Sequence, residues 1–208
     1  MLLTPSKITF PQLLCAAARR GRSPAGFTVI RAALTAALGV ALALALPAQA
    51  APPEPDGYRN QDYRSPVPAA LRGATVLTTA QAHALWETKS AVFVDVLPQA
   101  PKPKNLPNDS IWRDPPREDI PSSVWLPDTG YGELTPAMQD YFLTNLKKAA
   151  RADLALAFYC RRDCWMSWNA AKRALALGFV SVDWYPEGVE GWSDAGFPLE
   201  ARHAEPRP

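Results

Sequence analysis

Residues 154–178 read LALAFYCRRDCWMSWNAAKRALALG, and this stretch decides the fold. An apolar run, LALAFYC, is short, uncharged and without alternation, which is the pattern of a strand buried on both faces. A helix-like run follows within a few residues and ends at Gly178, a suitable residue just past a helix C-terminus. A buried strand feeding directly into a helix is the repeating unit of an α/β domain with a mostly parallel sheet. Ligands in such sheets bind outside the C-terminal ends of the strands. Cys160 stands at that end here, and Cys164 follows four residues later.

The flanking sequence repeats the pattern. ATVLTT, residues 74–79, reads as a short strand, and Thr79 as the cap of a helix over residues 80–87 with Ala84 and Leu85 inward. AVFVDV, residues 91–96, is a second buried strand with Asp95 at its end. Residues 97–119 hold six prolines (98, 101, 103, 107, 115 and 116), which exclude a helix or an interior strand. With Lys102, Lys104, Arg113 and Arg117, the segment reads as a lid or docking arm, or as coil over a sheet edge. SVWLP, residues 123–127, is another strand. Thr135-Pro136 opens a helix over residues 136–150, with Met138, Tyr141, Phe142 and Leu146 at helical spacing. VSVDW, residues 180–184, is the last strand expected, and residues 185–200 read as turn-rich and aromatic.

The first 50 residues read as a secretion signal rather than as fold. Four arginines precede an uncharged run of Ala, Leu, Val, Gly and Thr over residues 32–46, and Ala48-Gln49-Ala50 has the small-x-small form of a cleavage site. The run is short for a membrane span. The stretch before it is long for a signal, and a start at Val29 gives an ordinary one. Cleavage near Ala50 leaves 158 residues, enough for one domain. Seventeen basic side chains then face twenty acidic ones, and no basic stripe points to nucleic acid. The expected division is signal to residue 50, an extended lead-in over 51–71 packed through Tyr58 and Tyr63, a domain over 72–200, and a flexible tail over 201–208. No membrane attachment is expected after cleavage.

Cys15 leaves with the signal, so Cys160 and Cys164 are the cysteines of the mature chain. In an oxidising compartment the default for two cysteines is a disulfide. A bridge across four residues removes little chain entropy, so as a staple it does little. Metal binding takes three or four ligands, and the chain's histidines are only His83 and His203. No cofactor is expected, and no Cys-x-x-Cys-His haem motif is present. Position instead makes Cys160 the candidate nucleophile. A helix N-terminus and inward-facing loop N–H groups lower a thiol pKa, and the thiolate is what reacts. Cys164 is the candidate resolving thiol, attacking a persulfide or sulfenic acid on Cys160. Arg161 and Arg162 are candidate anion-binding residues, and Asp95 a candidate support for the loop. Trp165 and Trp168 are either packing residues or an aromatic wall for a ligand or partner.

Five segments in order resemble the rhodanese family. They are AVFVDV, IPSSVWLP (120–127), LALAFYC, SWNAAKRALALGF (167–179) and VDWYPEGVEGWSDAGFPL (182–199). The resemblance implies a rhodanese-like α/β domain, with a mostly parallel central sheet flanked by helices and Cys160 in the place of the catalytic cysteine. CRRDCWMSWNAAKRA, with YRNQDYRSPVP, IWRDPPR and VWLPDTGYG, further resembles a secreted subfamily, the PQQ-dependent catabolism-associated CXXCW motif proteins. The spacing here is Cys-x-x-x-Cys-Trp. The family loop runs Cys-x-x-Gly-x-Arg-Ser; here it is one residue longer, with Asp163 in place of the Gly. Met166 stands where phosphatases of this fold close a lengthened loop with Arg. The resemblance implies a periplasmic protein of quinoprotein alcohol catabolism with sulfur-transfer or thiol-redox chemistry on Cys160. Its implied partners are a small sulfur-containing or thiol substrate and a PQQ-dependent dehydrogenase or cytochrome c. The alternative is a catalytically inactive rhodanese-fold module that binds or matures such a dehydrogenase–cytochrome system.

Overall fold

A computed structural model describes residues 50–107 and 109–208. The signal expected over residues 1–50 lies, apart from Ala50, outside the described residues. The elements run β1 (Thr75–Val76), α1 (Thr79–Glu87), β2 (Ala91–Asp95), β3 (Arg117–Asp119), β4 (Val124–Trp125), α2 (Pro136–Ala149), β5 (Ala155–Tyr159), α3 (Trp165–Ala176), β6 (Val182–Trp184), α4 (Gly188–Asp194) and β7 (Glu200–Arg202). Five strands form one sheet in the order β1-β6-β5-β2-β4, with every neighbouring pair parallel. The α/β architecture expected from the sequence, a mostly parallel sheet flanked by helices, is therefore present.

Strand β5 is central, and its residues alternate between two cores. Leu156, Phe158 and Cys160 pack with Val94, Val96, Phe142, Leu146, Trp168, Ala171 and Trp184, on the face covered by α2 and α3. Ala157 and Tyr159 pack with Phe93, Leu77, Ala82, Tyr185 and Trp192, on the face covered by α1 and α4. Burial on both faces explains why the strand carries no polar alternation. Three fully buried tryptophans (168, 184 and 192) supply much of the apolar area that holds the helices to the sheet.

Several elements differ from expectation at their edges. Helix α1 is capped by Thr78, not Thr79; its side chain accepts from Gln81 N, and the Thr78 amide donates to Gln81 Oε1. That one-residue shift makes Ala82 the buried position and leaves Ala84 exposed. The proline-rich segment ends in a strand, β3, which pairs antiparallel with β7. Residues 185–200 contain helix α4, whose glycines hide it from a propensity reading. Residues 201–208, expected as a flexible tail, are tied down. Glu205 N donates to Trp125 O (2.9 Å), Tyr141 OH donates to Glu205 O (2.9 Å), and Arg207 pairs with Asp128.

Among the described residues no helix is long and apolar enough to cross a membrane.

Candidate functional site

Strand β5 ends at Tyr159, and residues 160–164 turn the chain into α3. The turn passes through Asp163 in the left-handed region (φ 51°), a conformation that glycine adopts freely and Asp tolerates. Gly188 (φ 57°) lies against this loop. A Cβ there falls 2.6 Å from Arg161 C and 2.7 Å from Cys160 O, so only glycine lets α4 approach. Val189 N then donates to Cys160 O (3.1 Å).

Both thiols are free and buried, with Cys160 fully enclosed and Cys164 2% exposed. Their environments differ. Cys160 belongs to the apolar core, with Cys164 as its thiol neighbour. Burial first, and that neighbour second, hold its pKa well above the ordinary thiol range. Cys164 occupies the N-cap position of α3. The neighbouring Cys160 thiol, together with the amides of Met166, Arg161 and Ser167, outweighs the desolvation of Cys164 and brings its pKa to about 7. Strand end and helix N-terminus, assigned to Cys160 alone in the sequence reading, thus act on different residues. The strand buries Cys160 with its proton, and the helix favours the thiolate at Cys164.

The other expected site residues are placed as follows. Arg161 and Arg162 do not face the thiols. Arg161 pairs with Glu190, and Arg162 spans Glu187 (2.8 Å) and Asp194 (2.7 Å), while its amide donates to Glu190 (2.9 Å). Three acidic side chains on and just before α4, Glu187, Glu190 and Asp194, therefore take the charge that was expected to bind an anion. Trp165 and Trp168 form no open wall. Both are buried, their rings meet edge to face at 5.5 Å, and their indole N–H groups donate to residues 65, 66 and 70. Asp95 does not brace the cysteine loop. By strand alternation it points to the face of Tyr159, opposite Cys160. It accepts from Leu97 N (2.9 Å) and pairs with Arg117.

Asp95 belongs to a buried polar network that sequence reasoning missed. Tyr159 OH donates to Asp119, which also accepts from Ile120 N (3.0 Å). One guanidinium serves two enclosed carboxyls, so a proton replaces the missing positive charge. Burial and then the charge of Asp95 push Asp119 up to about 8. Arg117 Nη2, Asp119 Oδ2 and Ser123 Oγ are buried here without a partner. The only sequence signal was an acid directly before the Ile120-Pro121 pair. Arg173 was missed as well. Buried in α3, it donates to Thr129 O (2.7 Å), Tyr131 O (2.7 Å) and Gly132 O (3.0 Å), fixing the loop after β4 beside the site.

No family model and no curated protein matches the chain. Among solved structures it is similar to a protein of unknown function from Rhodopseudomonas palustris, described as a possible tyrosine phosphatase. That likeness is at 27% identity over 61% of this chain and 85% of that one, with a TM-score of 0.39. It is also similar to a thiosulfate sulfurtransferase from Pseudomonas aeruginosa, at 19% identity over 64% of this chain with a TM-score of 0.44. The match spans 21% of that enzyme's length. A polysulfide-sulfur transferase from Wolinella succinogenes is similar at 14% identity over 62% of this chain and 80% of its own, TM-score 0.39.

Proposed function

We propose that the protein is a rhodanese-like thiol protein that carries sulfur on Cys160 and resolves it with Cys164. The observation that carries this reading is the pair of free, buried thiols in one core cluster at the junction of β5 and α3. The resemblance of the cysteine strand and its helix to the rhodanese pattern supports it.

The pair accounts for each proton and electron pair. Cys160 passes its proton to the Cys164 thiolate and becomes the nucleophile. It takes a sulfane sulfur from a donor, whose leaving group departs with the electrons of the broken bond. Cys164 then gives its proton to the outer persulfide sulfur and attacks Cys160 Sγ, which closes a Cys160–Cys164 disulfide and expels the carried sulfur as hydrosulfide. An external thiol reductant restores the pair. The test is intact mass after incubation with thiosulfate or polysulfide. A persulfide on Cys160, accumulating in Cys164→Ala, is expected. Absence of both persulfide and disulfide in the wild type and in this variant overturns the reading.

The setting we assign is the periplasm, after cleavage near Ala50, alongside a quinoprotein dehydrogenase or cytochrome c. It rests on the signal-like first 50 residues and the subfamily resemblance. Cell fractionation with sequencing of the mature N-terminus tests the location, and growth of a deletion strain on an alcohol tests the pathway. The binding-module alternative is favoured by one observation, the enclosure of both thiols. A Cys160→Ala/Cys164→Ala strain that grows as wild type, while the deletion fails, selects it.

A further inference from the structure

We infer that residues 59–70 form a strap that closes Cys160 and Cys164 from solvent and lifts before either thiol reacts. The proposal rests on the thiol chemistry proposed above for what it regulates, but its geometry stands apart from that chemistry. The strap adds no strand to the central sheet. It crosses the start of α3 in extended form, and its one ladder contact is the bridge between Arg64 and Cys164 itself. Next to that bridge, Trp165 N donates to Tyr63 O (2.9 Å). The strap's backbone is thus paired with that of the second cysteine.

The outward face of α3 holds this backbone with side chains at helical spacing. Trp165 Nε1 donates to Ser65 Oγ (3.0 Å) and Pro66 O (3.1 Å), and Trp168 Nε1 to Ala70 O (3.2 Å). Asn169 grips residue 59 from both sides, accepting from its amide (2.9 Å) and donating to its carbonyl (2.8 Å). This is the role of the CW-x-x-WN pattern that the thiol chemistry does not use. The tryptophans and the asparagine fasten a cover.

The strap's fastenings to α3 are part-buried hydrogen bonds, and Tyr63 and Val67 rest against the core, while Asn60, Gln61, Asp62, Arg64 and Pro66 are exposed. A segment outside the sheet and helices can open by itself, below the global unfolding free energy. At its far end Leu71 is buried and Gly73 turns at φ 91°, giving an anchored pivot. On the opposite side the cysteine loop is held by Gly188 and Val189 of α4, which belongs to the packed core.

The experiment compares alkylation of the full chain's thiols by iodoacetamide with hydrogen exchange of the Trp165 amide, across sub-denaturing urea. Local opening predicts that both proceed with weak urea dependence, and faster than exchange of the Leu156 amide in β5. Asn169→Ala, which removes two strap bonds and one to Gly130 O, is expected to speed alkylation about tenfold with Leu156 exchange nearly unchanged. Alkylation and Trp165 exchange that share the urea dependence of Leu156 overturn the strap. So do thiols that react in the folded wild type as fast as in the unfolded chain. The wild-type comparison decides the matter even if Asn169→Ala fails to fold. Gated alkylation in a protein that takes up no sulfur refutes the chemistry and leaves the strap intact.

Discussion

Cys160 and Cys164 are four residues apart, yet the fold gives them opposite protonation. The thiolate character at Cys164 depends first on the neighbouring Cys160 thiol. Cys160→Ala is therefore expected to raise the pKa of Cys164 from about 7 towards the ordinary thiol range. Ultraviolet thiolate absorbance against pH measures it, and an unmoved midpoint refutes the coupling. A second residue-scale expectation concerns Gly188. Its left-handed conformation and its contact with Arg161 and Cys160 leave no room for a side chain. Gly188→Ala should cost at least about 1–3 kcal/mol in urea unfolding. The cost should come with faster thiol alkylation, because the cysteine loop is displaced.

At the scale of elements, helix ends and buried helix faces carry the energetics. The reciprocal cap at Thr78 and Gln81 starts α1. Thr78→Ala should lower stability by about 1 kcal/mol, read by urea denaturation, with the thiols unaffected. Helix α3 does three tasks with separate faces: Ala170, Ala171 and Ala174 pack on the sheet, Arg173 fixes residues 129–132, and Trp165, Trp168 and Asn169 hold the strap. The strand–helix order around it was legible from residues 154–178 because apolar runs and caps are local signals. Helix α4 was not. Its glycines disfavour a helix locally, and its formation rests on burial of Trp192 and on the close approach of Gly188 to the cysteine loop.

At the scale of the molecule, the buried acid network links stability to pH. Asp119 titrates at about 8 in the folded protein and at an ordinary 3.8 when unfolded. The folded state then holds a proton that the unfolded chain releases. Its contribution is full below pH 4 and is lost as pH rises through about 8. Unfolding free energy measured across this range should fall with pH by more in the wild type than in Asp119→Asn, which keeps an acceptor for Tyr159 but does not ionise. Identical slopes refute the buried proton. The network also joins β2, β3 and β5, so its loss should loosen the β3–β7 pair, seen as faster amide exchange in residues 117–119.

Sequence alone determined the five strands of the central sheet, three of the four helices, their α/β order and the position of both cysteines at a strand-to-helix junction. Each follows from local patterning: apolar runs for buried strands, Thr-Pro for the start of α2, Gly178 for the end of α3. The tertiary structure decided what the neighbours of those residues are. It turned Arg161 and Arg162 to the carboxylates of α4, set Asp95 on the face away from Cys160, and tied residues 201–208 to Trp125 and Tyr141. It also laid residues 59–70 over Cys164, about a hundred positions away in the chain. Contacts at such separations depend on how the layers close, and a local sequence pattern carries no record of that closure.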